Sequence, residues 1–256
     1  MDNKEFYEKY DWDGLKEAHL KGKINRLLDI IPYDVSNIID IGCGNGAITN
    51  VIGEKYDVTA VDRSANALKN VKTKKVRASS DSIPFEDDSF DMVFSSELLE
   101  HLPNETLNET ISEFKRLTKK YIFITVPNDE NPDKLSIVCP RCGYKYNSSN
   151  HLRSFDIKKL NVLFPEYKLI NTLTFGKKVR YYNRTILKLK TSLSPSKSWI
   201  PYYWMSKDKR KTTCPSCENT FENPYKFNLL SLGFDFLNII ASPKKPYWLF
   251  ALFEKV

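Results

Sequence analysis

The 256-residue chain has no apolar run approaching the ~18 residues of a bilayer span, and its first thirty residues mix Lys, Asp and Glu with apolar positions, unlike a secretory leader. These absences argue against a membrane-spanning or exported chain and predict a soluble, cytoplasmic one. Only five cysteines and three histidines are present. Four of the cysteines fall in two C-x-x-C pairs, Cys139/Cys142 in "VCPRCGY" and Cys214/Cys217 in "TCPSCEN". That spacing points away from a disulfide framework and to thiolate chemistry or a metal in a reducing compartment. No internal repeat exists beyond these two Cys-Pro-x-Cys elements. Acid is nearly missing from residues 177–211, where eleven Lys or Arg accompany a single Asp208; this segment is +10 within a chain of net +7, so the remainder is −3. The basic character is local to one insertion and says little about the whole chain.

Apolar content of 41% and aromatic content of 13% suffice for one substantial core, expected as one main domain with insertions. Short apolar runs alternate with helical patterns from 37 to 126, as in βαβ units on a parallel sheet. Strands are predicted at "NIIDIG", "DVTAVD", "KKVRAS", "FDMVFS" and "YIFITV", and later at "YKLINTLTF" and "YWLFALFEK". Helices are predicted at 14–30, 46–55, 64–71, 104–118 and 156–163. The fourth has Leu107, Ile111, Phe114 and Leu117 on one face. The apolar stretch "FNLLSLGFDFLNII" is expected to pack beneath the basic insertion, with peripheral contact to a membrane as the alternative.

"IIDIGCGNGAI" sets Gly42, Gly44 and Gly46 directly after a buried strand and before a helix, where backbone amides can approach a ligand closely. No Gly-Lys-Ser/Thr follows, which excludes a P-loop, although Gly42, Gly44 and Ala47 formally fit a dinucleotide fingerprint. Asp40, two residues before Gly42, would oppose a pyrophosphate and attract a cationic ligand such as S-adenosylmethionine. Asp62, at the end of the second strand, is placed to bind ribose hydroxyls under either reading. Cys43, inside the loop, is expected to be a small packing residue.

"DIGCGNG", then "VDRS", then "SIPFEDDSFDMVFSSELLEHLP" resemble, in order and spacing, the class I S-adenosylmethionine-dependent methyltransferases, within the group acting on small molecules, quinone precursors and sugars. The resemblance is tight over residues 37–126. It implies an α/β, doubly wound, Rossmann-like seven-stranded and mainly parallel sheet with helices on both faces. It also implies a cofactor, S-adenosylmethionine, across the strands' carboxyl ends. Where the family carries an acid after the third strand this chain has Ser79, in "ASSDSIPF", so adenine recognition is assigned to Ser80 and Asp81. Ser95 is expected beside the methionine part of the cofactor.

Two C-x-x-C pairs suit a four-thiolate tetrahedral zinc site better than a redox dithiol, the alternative reading. Under the family topology both pairs lie in excursions after the fifth and sixth strands. One structural Zn2+ held by Cys139, Cys142, Cys214 and Cys217 would tie them into a cap over the acceptor pocket. The expected organisation is therefore 1–135 for N-terminal helices and cofactor-binding core, 136–153 for the first knuckle, and 154–176 for the core continued. Residues 177–240 form the basic insertion with the second knuckle, and 241–256 the final strand.

In "NHLRSFD", His151 is the expected base, since related methyltransferases often show His-Leu-Arg-x-Phe in this region, and Arg153 the contact for an acidic acceptor. His101 is expected to be structural, and Tyr7, Tyr10 and Trp12 to pack on the N-terminal helix or close over the cofactor. The expected reaction is O-methylation of a small anionic molecule, sugar, or glycan or lipid-linked precursor. RNA is the alternative partner, because residues 177–211 interleave bases with Tyr181, Tyr182, Trp199, Tyr202, Tyr203 and Trp204. Against it, "SSELLEHL" lacks the Asn/Asp-Pro-Pro-aromatic loop of base amino methylases. A non-catalytic zinc adaptor on the same fold is the third reading.

Overall fold

The computed structural model describes residues 7–12, 17–193, 210–222 and 228–256. Trp199, Tyr202, Tyr203, Trp204, Lys197, Lys207, Asp208 and Lys209 of the basic aromatic segment lie outside the described residues. The chain divides into two units, one formed by Met1–Asn128, Phe155–Lys177 and Pro246–Val256, the other by Asp129–Ser154 and Lys178–Lys245.

The first unit is built on a seven-stranded sheet. In chain order its strands are β1 (Asn37–Ile41), β2 (Asp57–Asp62), β3 (Lys74–Arg77), β4 (Phe90–Ser96) and β5 (Thr118–Pro127). Two hairpins of the second unit supply β6 (Ser136–Val138) with β7 (Lys145–Asn147), and β9 (Lys211–Thr213) with β10 (Thr220–Glu222). The sheet is completed by β8 (Tyr167–Val179) and β11 (Lys245–Lys255), giving the order β3-β2-β1-β4-β5-β11-β8. Strands β1 to β5 pair in parallel, and β11 runs antiparallel to β5. The order reverses between β1 and β4, which opens a crevice at their carboxyl ends.

Period-two alternation sends neighbouring residues to opposite faces. Ile39, Ile41, Val93, Ile122, Ile124 and Phe253 join one core with Leu107, Ile111, Phe114 and Leu117 of the helix Asn104–Leu117. Ile38, Met92, Phe94, Phe123 and Phe250 join the other, with Leu27 of the helix Glu17–Ile30. Helices thus cover both faces, which is why the strands read as continuous apolar runs. Phe114 has no exposed surface, and a cavity at such a site costs ~3–5 kcal/mol.

Some local expectations change. The helix expected over 46–55 is only Thr49–Ile52, and that over 64–71 is a 3-10 turn, Ala67–Asn70. Lys75 Nζ takes the carbonyls of Leu68 and Val71 at 2.9 and 3.2 Å, and Asn50 Nδ2 takes that of Asn70, so the turn's acceptors are satisfied without further helix.

In the second unit the described part of the stretch expected to pack beneath the basic insertion, 228–240, turns a polar face inward in place of its apolar one. The helix Leu229–Ala241 buries Ser231, Asp235 and Asn238 and exposes Leu229, Leu230, Phe236, Leu237 and Ile240. The reason is a polar network. Asp235 accepts from Lys190 Nζ and Tyr182 Oη, both at 2.6 Å, and Asn238 Oδ1 accepts from the Asn183 N–H at 2.8 Å. Lys190 belongs to the helix Arg184–Leu193 and is itself buried. A buried ion pair stripped of one partner is strongly unfavourable, so this network fixes which face turns inward.

Candidate functional site

The loop after β1 is shaped by three glycines with positive φ, Gly42 at 79°, Gly44 at 55° and Gly46 at 77°. The N–H groups of Gly42 and Cys43 both reach the Val61 carbonyl, at 2.8 and 3.1 Å, which pins the loop to β2. At Gly44 a side chain is also excluded by contact, because a Cβ would lie 2.8 Å from the Trp12 ring.

Two carboxylates flank the loop. Asp62 is buried and accepts from the Gly44 N–H and the Ser64 N–H, each at 2.9 Å. Burial raises its pKa, and those two amides act in the opposite direction. Asp40 is 2% exposed. Its Oδ2 accepts from Thr49 Oγ1 at 2.5 Å, while Oδ1 has no hydrogen-bond partner among the described residues. Burial pushes its pKa up to about 7. Cys43 packs against Ala60, Leu68 and Val71, and burial raises its thiol far above the usual range.

Residues 7–12 lie on this loop. Trp12 O accepts from Asn45 Nδ2 at 2.6 Å, Tyr7 O accepts from Ser64 Oγ at 3.2 Å, and Glu8 Oε2 accepts from the Ala65 N–H at 2.9 Å. The Tyr7 hydroxyl meets His101 Nδ1 at 3.0 Å. The segment therefore joins the glycine loop, the end of β2 and the turn after β4. Lys23 also comes to the end of β4 and has no counterpart among the sequence expectations. It is buried, donates to Ser96 Oγ at 2.9 Å, and lies 3.3 Å from Glu97 Oε1. An amphipathic pattern assigns such a lysine to solvent, so only the fold reveals it.

Among the remaining expected residues, the Ser95 hydroxyl is buried and donates to the Ile41 carbonyl at 2.9 Å. Ser80 Oγ pairs with Thr110 Oγ1 at 2.8 Å, and Asp81 is half-buried in the turn closed by the Ser79–Ser82 bridge. Asp40, Gly42, Gly44, Gly46 and Asp62 are thus gathered at one loop, while Ser80 and Ser95 have their hydroxyls engaged with protein atoms.

His151 and Arg153 belong to the second unit. His151 is buried, and its Nδ1 is paired with the buried carboxylate of Glu130. Arg153 is half-buried, and burial lowers its pKa.

The four paired cysteines converge. Cys139 and Cys142 sit in the turn between β6 and β7, Cys214 and Cys217 in that between β9 and β10, and all four sulfurs lie within 4.8 Å of one another. Cys139 is 3.6 Å from Cys217, and Cys142 is 3.6 Å from Cys214. A tetrahedron with metal–sulfur bonds of ~2.3 Å has edges of ~3.8 Å, so the spacing fits a four-thiolate ion and is far too long for disulfides. Burial alone would raise the Cys139 thiol, but the N–H groups of Cys142 and Arg141 and the neighbouring sulfurs outweigh it and bring it down to about 6. At Cys217 the Asn219 N–H acts downward, and burial with the neighbouring sulfurs prevails, pushing the thiol up to about 12. Four thiolates this close would repel one another, and a cation among them would offset that repulsion.

Residues 39–123 match the methyltransferase domain family. The chain is 26% identical over 175 residues to malonyl-[acyl-carrier protein] O-methyltransferase 2 of Ilyobacter polytropus, covering 63% of this chain and 65% of that protein. It is 33% identical over 97 residues to an uncharacterised protein of Methanocaldococcus jannaschii, covering 36% and 41% respectively. It spans less than two thirds of each of these curated relatives. Among solved structures, a SAM-dependent methyltransferase of Archaeoglobus fulgidus aligns over 94% of this chain and 95% of its own, with a TM-score of 0.57 and 17% identity. The fold is the α/β Rossmann-like fold seen in S-adenosylmethionine-dependent methyltransferases, and residues 39–123 are the part of the chain that matches the methyltransferase domain model.

Proposed function

We propose that the chain transfers a methyl group from S-adenosylmethionine to a small anionic acceptor, with an oxygen of a sugar, a glycan or lipid-linked precursor, or another metabolite as the methylated atom. The observation that carries the methyl-donor reading is the pairing of the Gly44 N–H, after β1, with Asp62, at the end of β2, beside the topological switch point between β1 and β4. It sets a carboxylate beside the glycine-rich loop. Asp62 would hold both ribose hydroxyls, beside the loop Gly42–Gly46. The unpartnered Oδ1 of buried Asp40 suits a cationic ligand and would repel a pyrophosphate. Ser80 and Asp81 would line the adenine end, and Ser95 would support the strand end by its bond to Ile41.

The bound donor supplies an activated sulfonium methyl. The protein's part is then to align the acceptor and, for a hydroxyl, to take its proton. His151, oriented by Glu130, is the proposed base, and Arg153 the proposed contact for acceptor charge. Cys139, Cys142, Cys214 and Cys217 would hold one Zn2+, closed by four sulfurs and hence structural. The RNA reading leans on Tyr181 and Tyr182, which are buried and not available for stacking, and on Trp199, Tyr202, Tyr203 and Trp204, which lie outside the described residues. The test is calorimetric titration of S-adenosylmethionine and NAD into the chain and its Asp62→Ala variant. Loss of two charge-assisted bonds is expected to weaken donor binding by roughly two orders of magnitude. NAD binding tighter than the donor, or unchanged affinity in the variant, overturns the reading.

A further inference from the structure

The helix Leu229–Ala241 is inverted relative to an ordinary surface helix. At 100° per residue, Leu229, Phe236, Leu237 and Ile240 fall on one arc and Ser231, Asp235 and Asn238 on the opposite one. The apolar arc is the outer one, with Leu229 73% and Ile240 84% exposed. This is no loose packing choice, because Lys190, Tyr182 and the Asn183 N–H hold the polar arc inward through direct hydrogen bonds. The helix has one charged residue, Asp235, and that one is buried and paired. The adjoining helix Arg184–Leu193 exposes Leu189 and Leu193 as well.

The helices Arg184–Leu193 and Leu229–Ala241 hold no acid except the buried, paired Asp235, and Lys178, Lys188 and Lys244, on or near them in the chain, are exposed. A helix of 13 residues is ~20 Å long, too short to cross a hydrocarbon core of ~30 Å. An uncharged apolar arc beside a basic surface, on a helix too short to span, is the arrangement of a segment lying in the plane of a bilayer interface. We infer that the helix Leu229–Ala241 docks the second unit on a membrane surface rich in anionic headgroups, with Leu229, Phe236, Leu237 and Ile240 entering the acyl boundary. The inference does not depend on which molecule is methylated.

The test is flotation of the full chain with vesicles of phosphatidylcholine alone and of phosphatidylcholine with phosphatidylglycerol, alongside a Phe236→Glu/Ile240→Glu variant. Both positions are exposed, and circular dichroism checks that the fold is kept. The expected result is flotation with the anionic vesicles, reduced roughly tenfold or more in the variant because two apolar anchors become charged. Added salt weakens the wild-type binding without abolishing it, since part of it is apolar. A wild type that ignores both vesicles, or a variant that binds as well as the wild type, overturns the inference. So does a dimer in sedimentation analysis that the same two substitutions dissociate, which assigns the face to a second copy of the chain.

Discussion

Gly143 and Glu218 occupy the same place in the two cysteine hairpins. Each follows the first cysteine of its pair by four residues, has a positive φ, 73° and 57°, and donates its N–H to that cysteine's carbonyl, at 3.0 and 2.9 Å. The first hairpin meets the left-handed requirement with glycine, and the second carries the strain of a side chain. A non-glycine residue in that region costs roughly 1–2 kcal/mol. Glu218→Gly is therefore expected to slow metal release to a chelator, and Gly143→Ala to speed it. Equal effects of both substitutions would contradict the shared geometry.

Metal analysis is expected to find one zinc per chain, with Cys139→Ser and Cys217→Ser each reducing occupancy. Chelation should raise amide exchange in residues 139–144 and 214–219 while the amides of β1, β4 and β5 stay protected, because those strands have their own cores. Isolation of metal-free protein with a disulfide inside each pair would establish the redox reading instead.

Asp40 predicts a specific pH dependence. Its folded pKa of about 7 lies above the ordinary 3.8, so the folded chain keeps the proton longer than the unfolded one does. Stability should fall as pH rises from about 4 to 7 and level off above that, by a few kcal/mol at ~1.4 kcal/mol per pH unit. Asp40→Asn should flatten this slope and raise stability at pH 8. If the proposed donor binds, its positive charges should favour the ionised form, so binding near pH 7 should release a proton and Asp40→Asn should weaken it. Calorimetry in buffers of different ionisation enthalpy reads that proton directly.

The acceptor is sought by transferring a labelled methyl group into a cell extract split into RNA, lipid and small-molecule fractions. Label is expected in the small-molecule or lipid fraction. His151→Gln should reduce it by roughly 100-fold, the usual contribution of a general base. Full activity in His151→Gln, with zinc content intact, removes the proposed base, and label mainly in RNA removes the proposed acceptor class.

The sheet was legible because strands buried on both faces are mostly apolar, as Ile38, Ile39 and Ile41 of "NIIDI" and all but Thr125 of "YIFITV" are, and because Leu107, Ile111, Phe114 and Leu117 recur at helical spacing. Within the site, the glycine loop with Asp40 and Asp62 could be read, since positive φ and strand-end acids leave local traces. The inverted helix could not. Ser231, Asp235 and Asn238 read as a solvated stripe until Lys190 and Tyr182, which are distant in sequence, are seen to engage it. Trp12 and Tyr7 were legible as aromatics, but their contact with Gly44 and His101 depends on tertiary folding. The hydroxyl partners of Ser80 and Ser95 are likewise set by tertiary contacts.

The separation of the two cysteine pairs also has a consequence in time. Cys139 and Cys217 touch in space but are 78 residues apart along the chain. A ribosome adding ~5–20 residues per second needs roughly 4–16 s to cover that distance. Throughout that interval the first hairpin is outside with two thiols and no partners. Two thiols alone would hold an ion loosely and are open to oxidation, and a four-sulfur site could close only when the second hairpin arrives. Synthesis rate and thiol redox state would therefore bear on how much of the second unit reaches the four-sulfur arrangement.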